Sequence, residues 1–375
     1  MKIVVAPDSF KGSLTSIEVA SIIKAAIKSV DSNYEVGMKP MADGGEGTLE
    51  SLLSSTEGER VFVTCTGPLG QSVQTSYAIL RGDTAIIEGA SIAGLPQVPL
   101  HQRNPDETTS FGIGEVILDA LDKGCQSFII GIGGSATNDG GLGMLLALGM
   151  KAYDEGGKKL DPYGKDLLTL HHIDLQSLDP RLKEVTIKVA CDVNNPLCGK
   201  QGASYIYGPQ KGATPEQVKR YDVALEYFST AVENILNKKF KEMPGAGAAG
   251  GLGFALLTLG AQLVSGAELL ADAIELEAAI QQADLVITGE GQTDEQTLYG
   301  KAPGYVAKLA EAHSIPTILI SGSLQGNMDL LRKRFAGCFS IVNSPLTLEQ
   351  CMEQAEELLY EQTKHVIHFM TSVER

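Results

Sequence analysis

Short apolar runs rich in β-branched residues alternate along this chain with longer stretches of helical period, the pattern of a parallel sheet covered by helices. Lys2–Ala6, Ser127–Gly131, Val185–Ala190, Leu285–Thr288, Thr317–Ser321 and Phe339–Val342 predict such strands. Ser16–Val30, Thr108–Leu121, Pro215–Leu236 and Ala302–His313 predict helices between them. Pro303 falls in the first turn of the last helix, where a missing N–H is harmless. Leu346–Phe369 predicts an amphipathic terminal helix. The rhythm changes once. Val61–Thr66, Val73–Leu80 and Thr84–Glu88 alternate with period two and are joined by turn residues such as Gly67-Pro68 and Gly82-Asp83, which predicts antiparallel strands.

The class is therefore α/β, with a mainly parallel sheet. The strands near both termini are alike in style, and the middle carries its own glycine-rich elements. That predicts a discontinuous outer domain, 1–62 plus 285–375, around an inserted α/β domain, 63–284. Gly140-Gly141-Leu142-Gly143-Met144 is echoed by Gly250-Gly251-Leu252-Gly253-Phe254, and each precedes an apolar helical run. Two helices are expected to start from glycine-rich turns.

Composition narrows the partners. With 375 residues the chain is long enough for two domains, and 43% hydrophobic residues are ample for a core. Thirty Lys and Arg against 46 Asp and Glu leave a net charge of −16. Such a charge repels nucleic acid and anionic membranes, but leaves room for a small anion in a local pocket. Six scattered cysteines without a C-x-x-C pair read as reduced thiols. No apolar stretch reaches the roughly 18 residues that span a bilayer, and the opening Met-Lys-Ile-Val-Val-Ala-Pro-Asp reads as a buried strand rather than a leader. A cytoplasmic protein acting on small molecules is expected.

Five segments combine small residues with acidic, hydroxyl or amide side chains: Ala6–Ser13, Ala42–Thr48, Gly131–Gly141, Cys191–Leu197 and Gly289–Asp294. All but the second directly follow a predicted strand, where ligands of open α/β sheets bind. In Gly131–Gly141, Gly133 and Gly134 would let backbone N–H groups approach a phosphate, with Ser135, Thr137 and Asn138 as further donors. A tight strand-to-helix turn would also call for these glycines. Lys11, beside Gly12 and two serines, suits an anionic oxygen; equally, Asp8 could cap a turn and Lys11 be solvated. Asp192 could take a proton from a substrate hydroxyl with Asn194 and Asn195 orienting it, although Asp-x-Asn-Asn-Pro is also an ordinary turn. Glu290 and Asp294, near Lys301, suit Mg²⁺ beside a phosphate. No G-x-x-x-x-G-K-[ST] loop occurs. Gly131-x-Gly133-x-x-Ala136 superficially matches a dinucleotide fingerprint and keeps an NAD-dependent oxidoreductase as the alternative, although Asp154, about 20 residues on, lies in the turn-like Asp154-Glu155-Gly156-Gly157 rather than at the end of a second apolar strand. The histidines support neither a zinc site nor a catalytic triad.

Taken together, Ala6-Pro7-Asp8-Ser9-Phe10-Lys11-Gly12-Ser13, Ala42–Thr48, Gly131–Gly141, Cys191–Leu197 and Gly289–Asp294 followed by Tyr299-Gly300-Lys301-Ala302-Pro303 resemble the bacterial glycerate kinase family of the first type, essentially end to end. The resemblance implies ATP-dependent phosphorylation of D-glycerate, usually to the 2-phosphate. It also implies two intertwined α/β domains, one Rossmann- or flavodoxin-like, with the site in the cleft between them. On that footing Asp192, Lys11 and Asp8 are the catalytic candidates, with Asp192 favoured as base. Gly133, Gly134, Ser135, Thr137, Asn138 and Lys301 are expected at phosphate or nucleotide, Asp43, Asn194 and Asn195 at substrate, and Asp294 and Glu290 at Mg²⁺. ATP and Mg²⁺ are the expected co-substrate and cofactor, with a homodimer as a further expectation.

Overall fold

The apolar runs at Leu285–Thr288 and Thr317–Ser321 are buried at every position in the computed structural model, which describes residues 1–42, 48–298 and 300–373. Burial on both faces is why these strands read as continuous apolar stretches instead of alternating ones. Among the described residues, a five-stranded and a six-stranded sheet dominate. In chain order their strands are β1 (Lys2–Val5), β2 (Glu35–Met38), β3 (Gly58–Thr66), β4 (Ser72–Leu80), β5 (Thr84–Glu88), β6 (Ser127–Gly131), β7 (Thr186–Ala190), β8 (Gln262–Val264), β9 (Leu285–Thr288), β10 (Thr317–Ser321) and β11 (Gly337–Ser340). The chain divides into two units. Met1–Asp43, Glu50–Thr56 and Gly266–Arg375 form the first; Gly44–Leu49 and Glu57–Ser265 form the second.

The first unit thus draws on both ends of the chain, and its last stretch begins at Gly266, ahead of β9. Its sheet is wholly parallel in the order β11-β10-β9-β1-β2. Numbered by their own sequence, these strands run 2-1-3-4-5, the flavodoxin-type order. Alternation across the pleat feeds two cores. Ile318 and Ile320 join Ile3, Val5, Ile23 and Leu359 on one side, while Leu319 joins Ala307, Leu331 and Phe335 on the other. The helix Ser16–Val30 starts from a reciprocal cap between Thr15 and Glu18 and buries Val19, Ala20, Ile23, Ala26 and Ile27. It packs against Ala355–Val373.

The second unit's sheet runs β8-β7-β6-β5-β4-β3. The alternating stretch forms the antiparallel meander β3–β4–β5, and β5 to β8 pair in parallel. Phe128, Ile130, Ile187 and Val189 pack in one core with Ile113, Val116 and Ile117 of the helix Phe111–Asp122. Pro215–Leu236 lies where its pattern put it, from a Thr214–Gln217 cap to Asn237 in a left-handed turn at φ 50°.

Several elements differ from the pattern. The helix expected from Thr108 begins at Phe111, because the backbone N–H and hydroxyl of Ser110 are drawn to the Asp139 carboxylate. The last strand ends at Ser340, whose hydroxyl accepts the Val342 N–H and turns the chain. The terminal helix is two, Leu348–Glu353 and Ala355–Val373. The short strands β2 and β8, only partly buried, gave no apolar run to read. Among the described residues no helix is long and apolar enough to cross a membrane, and all six cysteines are free thiols.

Candidate active site

A sheet of order 2-1-3-4-5 changes direction between its first and third strands, here β1 and β9, and that is where such sheets bind ligands. Pairing continues past both strands. The Ala6 and Asp8 N–H groups donate to the Ile287 and Gly289 carbonyls at 2.8 Å, and the Thr288 hydroxyl donates to Ala6 O at 2.7 Å. Gly289 is held so close to β10 that a Cβ would lie 1.8 Å from the Ile320 carbonyl oxygen. Only glycine fits there.

Beyond these strand ends opens a cavity of about 560 Å³ lined by Asp8, Lys11, Glu290, Asp294 and Lys301, among others. Five residues predicted from sequence thus share one site within the first unit. Asp8 is buried, and one of its carboxylate oxygens accepts the Ser9 N–H at 2.7 Å. Lys11 is exposed on the turn that the Leu14 N–H closes on Phe10 O. Lys301 is the cap residue of the helix Ala302–Ala312.

Glu290 is more committed than a metal ligand should be. One oxygen accepts the hydroxyls of Thr293 and Thr297, and the other faces the Lys301 ammonium at 3.3 Å. Its observed work is to hold Lys301, which departs from the Mg²⁺ role expected for it. Asp294 uses one oxygen to accept the Gln296 N–H and keeps the other for a further partner. Among the described residues no cluster of His, Cys, Asp or Glu could hold a metal by itself. Asp294 nonetheless fits the way Mg²⁺ binds in phosphoryl-transfer sites, through one or two carboxylates together with substrate phosphates.

In the second unit the Gly131–Gly141 loop has two halves. Gly133 and Gly134 are exposed; Ser135, Thr137, Asn138 and Asp139 are buried. The Asn138 amide donates to the Ser204 hydroxyl at 3.0 Å, and Ser135 accepts the Lys211 ammonium at 3.0 Å. The start of the helix Leu142–Ala147 is already served from within, since Asp139 accepts the N–H groups of Gly141 and Gly143 as well as both donors of Ser110. The N–H groups of Gly141 and Gly143 at that helix start are thus taken by an internal carboxylate. The echoed glycines explain each other. The Gly140 N–H donates to Gly250 O at 2.9 Å, and a Cβ on Gly251 would lie 2.6 Å from Gly140 Cα. They let two helix starts touch.

Asp192 and Asn194 are exposed on the loop after β7. Asn195 uses its amide on its own loop, donating to Gln201 O at 2.7 Å and accepting the Tyr207 hydroxyl at 2.6 Å, which leaves little for a substrate. Asp154 sits in a turn closed on Lys158, not at the end of a strand beside β6, so the dinucleotide fingerprint gains no support. Asp43 lies outside the described residues.

Lys211 was missed. It is 2% exposed, and its ammonium also donates to Thr137 O at 2.5 Å. Burial pulls its pKa down to about 7, against a smaller upward pull from Asp139. Nothing in Pro209-Gln210-Lys211-Gly212 signals burial, which comes from a loop 76 residues away.

The sequence matches the model of the glycerate kinase family over residues 3–371. The chain belongs to that family. A glycerate kinase of Haemophilus influenzae is 47% identical over 369 residues, 98% of each chain. The glycerate 2-kinase of Escherichia coli is 44% identical over 98% of this chain and 97% of its own. A crystal structure of a protein described as glycerate kinase 2 from Salmonella typhimurium superposes with a TM-score of 0.91 at 44% identity, covering 100% of this chain and 99% of the other. The family's mixed α/β architecture with parallel sheets is therefore that of this chain.

Proposed function

We propose that this chain transfers the terminal phosphoryl group of ATP to a hydroxyl of D-glycerate. The observation that carries the proposal, within a family of glycerate kinases, is the first unit's cavity, where two lysines and three carboxylates meet at the switch point of a parallel sheet. Both substrates are anions, and phosphoryl transfer asks for positioning and charge neutralisation more than for covalent chemistry. Lys301, steadied by Glu290, presents one positive charge, and the exposed Lys11 a second. Mg²⁺, when bound with the phosphates at Asp294, would neutralise further charge.

Asp8 is the proposed acceptor of the hydroxyl proton, being a buried carboxylate within the cavity. Asp192, favoured by sequence, is its rival. The 2-hydroxyl is the proposed acceptor of phosphate, following the name of the Escherichia coli relative. ADP release with D-glycerate, with phosphorus NMR of the product, tests the whole reading. A 2-phosphate product supports it and a 3-phosphate product moves the acceptor. No ADP release would overturn it.

A further inference from the structure

The first unit's cavity has a mixed lining: Asp8, Lys11, Asp294 and Lys301 are polar, and Ile341, Val342, Leu348 and Met352 are apolar. Leu348 and Met352 are four residues apart on the helix Leu348–Glu353, so they share a face. They remain 76% and 36% exposed. Paired apolar side chains left open to water on a cavity wall gain by being covered.

Size points the same way. A cavity of about 560 Å³ falls in the range of sites for ligands of drug or cofactor dimensions, and a three-carbon acid would leave most of it empty. A ligand that carries both an anionic and an apolar part suits this lining.

We infer that this cavity is the nucleotide site, with the purine of ATP against Leu348 and Met352 and its phosphates toward Lys11 and Lys301. A thioether beside an aromatic ring is a favourable contact, which suits Met352 to a purine face. The inference rests on the kinase reading, and it moves the nucleotide from the Gly131–Gly141 loop, where the pattern of glycines put it. In the buried half of that loop the Asn138 amide N–H, the Ser135 hydroxyl and Thr137 O are engaged by Ser204 and Lys211, while Thr137 Oγ1 and Asn138 Oδ1 have no hydrogen-bond partner among the described residues.

The test is a Leu348→Ser, Met352→Ser double variant, whose folding is protected by the exposure of both side chains. ATP binding by calorimetry and the KM for ATP should weaken about ten-fold, the loss of roughly 1.4 kcal/mol, while the KM for D-glycerate and the melting temperature stay unchanged. Unaltered ATP affinity, or an equal rise in the KM for D-glycerate, overturns the assignment. Cys351 lines the same wall and supplies a second readout. ATP should slow its alkylation by N-ethylmaleimide, followed by peptide mass, whereas D-glycerate alone should not; the reverse result would put the acid rather than the purine against this wall and overturn the assignment. These outcomes separate from those of the kinase reading. ATP protection without ADP release from D-glycerate keeps the nucleotide site and removes the glycerate reading. Turnover of D-glycerate with the double variant indistinguishable from wild type does the opposite.

Discussion

Lys211 shows what a single buried charge does to the second unit. Its ordinary pKa is 10.5 and burial lowers it to about 7 in the fold. Between those values the unfolded chain binds the proton and the folded chain does not. Stability contributed by this residue therefore rises as pH climbs from about 7 to about 10, and its cost is complete below pH 7. Lys211→Met should remove that rise, seen as a smaller gain in urea midpoint from pH 7 to 9.5 than wild type shows. An equal gain in both proteins would mean that the lysine is not buried as described. Asp139 is the acidic residue buried in the loop that Lys211 contacts. It accepts four donors in a dry setting, so Asp139→Ala should destabilise by at least about 3 kcal/mol, bonds to a charged group being worth roughly 1.5–3 each. At the cavity, Asp8→Asn should lower kcat by about 10²–10⁴ with the KM for ATP roughly kept, and Asp192→Asn by much less. If Asp192→Asn proves the more damaging, the base lies on the loop after β7.

The elements show how glycines of similar appearance do different work. Gly251 has φ +96°, and a Cβ there meets the Gly140 backbone; Gly134 has φ +70°, with only the Ala90 side chain at 3.5 Å. Gly134→Ala should therefore cost only the left-handed strain, about 1–2 kcal/mol. Gly251→Ala must in addition push two helix starts apart, so its melting temperature should fall further. Equal losses would contradict the close approach. The sequence showed both helices and both glycine turns, since periodicity and glycine content are local. It could not show that the turns touch. The helices Ser16–Val30 and Pro215–Leu236 were legible to the residue because their caps are local pairs, Thr15 with Glu18 and Thr214 with Gln217. Thr108–Ser110 looked helical for the converse reason, the competing partner, Asp139, being remote in sequence.

Over the whole molecule, binding and stability are linked within the unit that binds. ATP at 100 times its dissociation constant should stabilise the first unit by about 2.7 kcal/mol. With ATP alone, hydrogen exchange should slow at Asp8–Ser13, Gly289–Asp294 and Leu348–Ala355, leaving the β6 and β7 strands unchanged. Protection centred on Gly131–Gly141 instead would return the nucleotide to that loop. The charge of −16 sets the background against which Lys11 and Lys301 must act locally.

What the amino-acid order determined by itself was everything carried by neighbours along the chain: the α/β alternation, the antiparallel meander, the capped helices and the motifs that mark the family. Residues i and i+4, or i and i+2, meet whatever the rest of the molecule does. Only the tertiary structure decided that β1 lies beside β9, that Asp8, Lys11, Glu290, Asp294 and Lys301 share one cavity, and that Leu348 and Met352 form its apolar wall. It also decided which polar groups are spent internally, as Glu290, Asn195 and Asp139 are. Those outcomes depend on which distant segments exclude water together, and burial between remote segments leaves no periodic trace in either one.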